Sequence, residues 1–323
     1  MSSSRVLQLL AAKCKDGRLR VPVVAAPMFL ASTPRLVIET CKAGVIGTLP
    51  ALNARSTAIL DDWLTELDRE CRNAPYGVNL VVHKSNPRLE ADLDVLVRHR
   101  VPLVITSLGA ASQINQRIQS YGGVVFHDVI NAHHAKKAAN AGVDGLVLVA
   151  AGAGGHAGTI SPFALVAEVR SFFGGVILLA GCINNGGDVA AAVAMGANMA
   201  YMGTRFLATQ EADVDPAYKD MIVQSGASDV LYTKEISGIN ANFLRPSIAA
   251  AGLDPDNLPP HGSKIDFGEE LNPAKAWRNI WSAGHGVAGI SSVVPVAQLV
   301  SELETEYYNA VQRLAQTVVK AKL

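Results

Sequence analysis

Eight short, nearly continuous apolar runs punctuate the first two-thirds of the chain: Val21 to Ala25, Val45 to Leu49, Gly77 to Val81, Leu103 to Thr106, Val124 to Phe126, Gly145 to Val149, Val176 to Ala180 and Met199 to Met202. None alternates apolar with polar positions, so they predict strands buried on both faces, as in a parallel sheet covered by helices. The segments between them carry helix-like patterns. Thr33 to Ala43 has Ser32 or Thr33 as N-cap, Pro34 in its first turn and Gly44 at its C-terminal end. Ala43-Gly44-Val45 and Ala141-Gly142-Val143, with Met195-Gly196-Ala197 as a looser copy, repeat one unit: an Ala-rich helix, a glycine stop and an apolar run. Eight such runs predict a (β/α)8 TIM barrel, although a doubly wound open sheet leaves the same local signature.

After Thr204 the pattern changes. From about residue 209 to 273, polar residues are scattered among Pro246, Pro255, Pro259 and Pro260 without clear strand alternation. This predicts a mostly helical appendage with long loops, placed to act as a lid. Val296, Leu299, Val300, Leu303, Tyr307, Val311 and Leu314 then fall at spacings of three or four within Val294 to Lys320, which predicts an amphipathic helix packed back on the body. The expected organisation is a barrel over residues 1–208, completed by the C-terminal helix of about 290–323, and a mostly helical lid region over 209–289.

Composition narrows the partners. The chain has 323 residues, 49% hydrophobic and 17% charged, ample for the core of a soluble globular protein. Its 28 basic and 28 acidic residues cancel, so no global field favours nucleic acid or an anionic membrane, and small molecules are the expected partners. Cys14, Cys41, Cys71 and Cys182 form no CxxC pair and combine with no histidine at metal-ligand spacing; they predict reduced thiols in a cytoplasmic protein without a metal site. The first twenty residues lack a signal-peptide pattern, and no run reaches the roughly 18 apolar residues of a membrane span.

The candidate chemistry centres on Ala150-Ala151-Gly152-Ala153-Gly154-Gly155-His156-Ala157-Gly158-Thr159, directly after the sixth run. Glycines there let backbone approach a flat ligand closely, and His156 is the ionisable side chain of the loop. In a barrel the loops after the strands form the active face, and phosphate commonly binds after strands seven and eight. The seventh run ends in Ala180-Gly181-Cys182 and the eighth in Gly203-Thr204-Arg205-Phe206, offering glycine backbone, a hydroxyl and a helix start near Arg205 to an anion. The pattern is neither a Walker loop nor a dinucleotide fingerprint. His127-Asp128, after the fifth run, is placed to face a ligand, whereas His133-His134 lies on an Ala/Lys helix and is expected in solvent.

Taken together, Ala25-Ala26-Pro27-Met28, Gly77-Val78-Asn79-Leu80, Ala153-Gly154-Gly155-His156, Met202-Gly203-Thr204-Arg205-Phe206-Leu207-Ala208-Thr209 and Trp281-Ser282-Ala283-Gly284 give the chain a resemblance. In that order they resemble the nitronate monooxygenase family, formerly called 2-nitropropane dioxygenases, flavin-dependent TIM-barrel proteins. The resemblance implies one non-covalent FMN across the barrel mouth. Ala26, Pro27 and Met28 would lie beside the isoalloxazine, Asn79 near the ring, and Gly154 and Gly155 close to the flavin. Ala180, Gly181, Cys182, Gly203 and Thr204 would hold its phosphate, and His156 would serve as base or hydrogen-bond donor to the substrate. The implied reaction is oxidation of an alkyl nitronate or nitroalkane by dioxygen to a carbonyl compound and nitrite. Two alternatives share the fold: an NAD(P)H-dependent quinone or enoyl-thioester reductase, and a flavin-binding scaffold without turnover. A homodimer is left open. The chain departs from the family pattern at three positions. Asp128 stands where relatives often carry Lys, and Val149 and Gly152 stand where many carry Gln and Glu. Ser107, in the turn Thr106-Ser107-Leu108-Gly109, is expected to compensate for the missing polar groups, and Ser107 and Asp128 are counted with the residues expected to bind the cofactor.

Overall fold

The computed structural model describes residues 3–109, 111–260 and 280–320. Each apolar run forms one strand of a closed parallel barrel: β1 (Val23–Ala25), β2 (Ile46–Pro50), β3 (Tyr76–Val81), β4 (Leu103–Ser107), β5 (Val124–Val129), β6 (Gly145–Val149), then, after a two-residue β7 (Gly155–His156) outside the barrel, β8 (Val176–Ala180) and β9 (Met199–Met202). The ring closes where β9 pairs with β1, Val24 opposite Tyr201. The open-sheet alternative is thereby excluded.

The repeated glycines act as the sequence predicts. Gly44, Gly142 and Gly196 follow the helices Pro34–Lys42, Ala132–Asn140 and Gly186–Ala194 with φ of +92°, +82° and +111°, a left-handed exit that returns the chain into the next strand. Inside the barrel, Ile46, Ile105, Phe126, Val147 and Leu178 pack with Val6 and Leu10 of the N-terminal helix Ser3–Ala11. The same cluster holds Leu103, Val124, Val176 and Met199, the first residues of their strands, so that helix plugs the lower end. The upper end, where the strands finish, is left for a cavity.

Beyond β9 the helix expected near Arg205 is four residues long, Thr204–Leu207. The buried Arg205 guanidinium donates to the carbonyls of Ala208 (3.2 Å) and Ser292 (3.4 Å). The appendage holds the helices Pro216–Gln224 and Arg245–Ala250, and also two strands that the sequence pattern does not reveal, β10 (Val230–Thr233) and β11 (Ala241–Leu244). All four residues of β11 are buried, with β10 on one side and β7 on the other, which removes the alternation that marks a half-exposed strand. Residues 261–279 of the expected lid region lie outside the described residues.

The C-terminal helix, Val296–Lys320, lies on the helices Gly186–Ala194 and Pro34–Lys42. Val296, Leu299, Val300 and Leu303 are buried, whereas Val311 and Leu314 are 41% and 53% exposed, so only the first half of the predicted stripe enters the core. Among the described residues, no helix is long and apolar enough to cross a membrane and no His/Cys/Asp/Glu group is placed to hold a metal ion.

Candidate active site

A cavity of about 1020 Å³ opens at the C-terminal ends of the barrel strands. Every site residue expected from the sequence lines it. Ala26, Pro27 and Met28 follow β1; Asn79, Ser107 and Asp128 sit toward the ends of β3, β4 and β5; Gly154, Gly155 and His156 follow β6; Ala180 ends β8, with Gly181 and Cys182 just after it; Gly203 and Thr204 follow β9. Residues scattered over nearly 180 positions converge because a parallel barrel brings all its strand ends to one face.

The loop after β1 is pinned by two side chains. The Met28 amide donates to Ser32 Oγ (2.9 Å), and the Asn53 amide group donates to the Met28 carbonyl (3.0 Å) while its Oδ1 accepts from the Leu30 amide (2.9 Å). Leu30, Leu108 and Cys182, all on the cavity wall, have φ of +63°, +65° and +59°. Side chains rarely adopt that conformation, and such strain clusters at functional sites.

The glycine-rich loop is held as a strand. Its β7 pairs antiparallel with β11, His156 opposite Ala241 and Gly155 opposite Asn242. The Gly155 amide donates to Ser282 Oγ (2.7 Å), whose hydroxyl donates to the Asn242 carbonyl (2.5 Å), and Asn242 Nδ2 donates to the Ala153 carbonyl (2.6 Å). The Ser282 amide donates to the Tyr218 hydroxyl (3.2 Å), which in turn donates to the Ser282 carbonyl. Tyr218 stacks on Trp281 with ring centres 5.0 Å apart. A Cβ on Gly154 would lie 2.9 Å from the Gly284 nitrogen and 3.2 Å from Thr204 Oγ1, so here glycine permits a close approach of the protein to itself. Thr204 Oγ1 accepts from the Gly284 amide (2.9 Å), which leaves its hydroxyl proton for another partner. Gly181, with φ of +122°, brings its Cβ position to 2.8 Å from the Ala151 carbonyl and cannot carry a side chain there.

Three departures from the family pattern take on a physical meaning. Gly152 has φ of +81°, and a Cβ on it would stand 2.3 Å from Cys182 Sγ and 3.0 Å from His285 Nδ1, so those side chains fill the space a longer residue would need. Val149 leaves that stretch of wall apolar. Asp128 Oδ2 accepts from Ser107 Oγ (2.6 Å), which accepts from Asn79 Nδ2 (2.6 Å).

Burial sets the charges. It lowers the His156 imidazole to a pKa of about 4, and the same effect, aided by His134, brings His127 to about 4. It raises Asp128 to about 6 against the hydrogen bond from Ser107, and raises the Tyr201 phenol, with a smaller push from the Asp128 charge. Near neutral pH His156 and His127 are therefore neutral, Tyr201 is a neutral phenol and Asp128 is ionised, in a cavity whose wall also carries Lys137, Asp213 and Asp215.

Tyr201, Tyr218 and His285 belong to this wall or its support and carry no motif in the sequence; Tyr201 is the apolar run's own residue turned inward. His133 and His134 are exposed, as expected, although His134 reaches the cavity edge.

Comparison with known proteins agrees with this geometry. The family model described as nitronate monooxygenase matches residues 88–306. A nitronate monooxygenase of Paraburkholderia phytofirmans is 27% identical, with 91% of this chain and 94% of that protein aligned. The (3aS,4S,5R,7aS)-5-hydroxy-7a-methyl-1-oxo-octahydro-1H-indene-4-carboxyl-CoA dehydrogenase of Rhodococcus jostii is 31% identical over 70% of this chain and 63% of its own length. The solved structure of FabK from Thermotoga maritima superposes with a TM-score of 0.80 at 26% identity, covering 97% of this chain and 98% of that one. With its closed barrel, its His156 loop and a family match over more than half its length, the chain belongs to the nitronate monooxygenase family of oxidoreductases.

Proposed function

We propose that the cavity holds FMN and that the chain oxidises nitroalkanes or alkyl nitronates with dioxygen, giving a carbonyl compound and nitrite. The observation that carries this reading is convergence: in a chain of this family, His156 and the glycine loops after β8 and β9 face one cavity. The residues present fit the cofactor. A Cβ on Gly203 would stand 3.7 Å from the Ala26 Cβ and from Met28 Sδ, so glycine leaves open a cradle that any side chain would enter. Gly181 and Thr204 flank it, ready for a phosphate, while Pro27, Met28 and Ala180 offer apolar surface to a flat ring.

FMN, when bound, supplies the electron transfer and the reaction with dioxygen. The chain's part is to position substrate and handle its proton. His156, neutral at pH 7 and fixed through the β7–β11 pairing, accepts the α-proton of a nitroalkane or hydrogen-bonds the oxygens of a nitronate. The β10–β11 hairpin, with Tyr232 and Asn240 on the cavity wall, acts as the lid that sets specificity; Lys234, from the same segment, is exposed and does not line the cavity.

A second reading keeps the fold and changes the electron donor. Phe29, Leu30, Leu108, Ile130 and Tyr232 are large, exposed and set along the cavity, an apolar rim wider than a small nitroalkane requires. It suits the acyl part of a thioester or a quinone reduced at the expense of NAD(P)H.

The visible spectrum of the purified protein, followed by anaerobic mixing with propionate 3-nitronate and separately with NADH and NADPH, decides. A yellow protein bleached by the nitronate supports the first reading, and rapid bleaching by NAD(P)H alone transfers support to the second. Colourless protein that takes up no FMN overturns both, and a yellow protein inert to every donor favours a scaffold without turnover.

A further inference from the structure

After β5 the chain passes Ile130 and enters the helix Ala132–Asn140, which buries Ala132, Ala135 and Ala138. Asn131 caps that helix, its Oδ1 accepting the His134 amide (2.8 Å). Ile130, His134 and Lys137 follow at spacings of four and three, so they share one side of the helix and its entry, and all three line the cavity. Lys136, by contrast, sits over the Phe172 ring, 5.1 Å from its centre. Among the described residues Lys137 is the one lysine or arginine on the cavity wall, is exposed, and stands in no ion pair. The acidic side chains of the wall are Asp128, toward the end of β5, and Asp213 and Asp215, beyond β9; Asp215 Oδ1 accepts the Ala217 amide (2.8 Å). Phe29, Leu30, Leu108, Ile130 and Tyr232 form the exposed apolar rim, and Ile130 joins that rim to Lys137.

Taking this cavity as the substrate site, as above, we propose that Lys137 docks an anion at the far end of the substrate. The substrate is then an amphiphile, with its reacting group inside beside His156, an apolar chain along the rim, and a carboxylate or phosphate at the mouth. The rim and the cation at its edge have separate tasks: apolar area removed from water supplies affinity, and the ammonium decides which end of the molecule stays outside. A nitroalkane or nitronate without a distant charge leaves Lys137 unused, whereas one that carries it is recognised at both ends. The same holds for an acyl chain reduced at the expense of NAD(P)H. Because Lys137 is exposed, salt screens its pull, and a single exposed ion pair alters an equilibrium by up to about fivefold.

The test measures binding without turnover: octanoate, octyl phosphate and octylamine, one apolar chain with different end charges, are titrated by calorimetry into FMN-loaded protein at pH 8 and low salt. The wild type is expected to bind either anion about fivefold or more tightly than the amine, since attraction of the one and repulsion of the other compound. Lys137→Glu should reverse that order, Lys137→Met should abolish the anion preference, and added salt should shrink it in the wild type. Tighter binding of octyl phosphate than of octanoate identifies a phosphate ester as the end group, and the opposite order a carboxylic acid; both support the inference. A wild type that binds neither anion or prefers octylamine, Asp213 and Asp215 then setting the sign, overturns it, as does an anion preference unaltered by Lys137→Glu. It also falls if Lys137→Glu lowers the affinity for FMN and leaves the preference alone, because the lysine then holds the cofactor. Protein that takes up no FMN, or that turns over neither nitro compounds nor NAD(P)H, defeats the reaction proposed above separately, and the same titrations still measure the order of binding.

Discussion

His156 and Asp128 share a cavity, and burial carries their pKa values past each other, His156 from an ordinary 6.5 down to about 4 and Asp128 from an ordinary 3.8 up to about 6. For His156 the consequence is kinetic. Its basic form persists well below the usual imidazole range, so kcat/KM for a nitroalkane should stay level from pH 8 to about 5 as far as this group is concerned, and fall only as the pH nears 4. His156→Ala is expected to keep FMN and slow turnover at least about tenfold; a variant that loses the flavin, or one that turns over normally, removes the histidine from this role. For Asp128 the consequence is a stability difference. Its folded pKa lies above the unfolded value, so burying the ionised form costs stability above pH 6, and that cost disappears as the pH falls below 3.8. Asp128→Asn should therefore be more stable than the wild type at pH 8, by at most about 3 kcal/mol, with the gap closing in acid; equal melting curves at pH 8 would show that the carboxylate is not destabilising.

At the level of elements, the site depends on how the glycine-rich loop is fastened. Ser282 links three segments, accepting from Gly155, donating to Asn242 and sharing two hydrogen bonds with Tyr218 through its backbone. Ser282→Ala leaves the Gly155 amide and the Asn242 carbonyl without that partner and should cost about 1–3 kcal/mol, measured by chemical denaturation. Because β7 carries His156, kcat should fall with it; a fully active variant would mean that the β7–β11 pairing suffices alone. The sequence revealed the loop, its histidine and the Trp281-Ser282-Ala283-Gly284 segment as separate motifs. The fastening itself was hidden, since β11 shows no alternation and β7 is two residues long, too short to leave a pattern. The barrel strands were legible for the opposite reason, each being a continuous apolar run buried on both faces. Positive φ at Leu30, Leu108 and Cys182 was also out of reach, because residue type gives no sign of it there.

The whole molecule is a barrel plugged below by Val6 and Leu10, open above at the cavity, and wrapped on one side by a C-terminal helix whose two halves do different work. In the first half, Val296, Leu299, Val300 and Leu303 share one core cluster with Val23 and Ala25 of β1 and with Ala200 and Met202 of β9, the strands that close the ring. Glu306, one turn on, accepts the Gly186 amide at the start of the facing helix (2.8 Å). Beyond Ala310, Val311 and Leu314 are exposed, and nothing in the core depends on them. Burying four such side chains contributes roughly 6–12 kcal/mol, comparable with the whole net stability of a domain, about 5–15 kcal/mol. Truncation before Val296 is therefore expected to yield protein without a cooperative melting transition, while truncation after Ala310 should shift Tm by no more than about 4 °C and keep the affinity for FMN. If the shorter truncation also destroys the transition, the outer half of the helix is covered in solution, and the oligomeric state by ultracentrifugation becomes the next measurement.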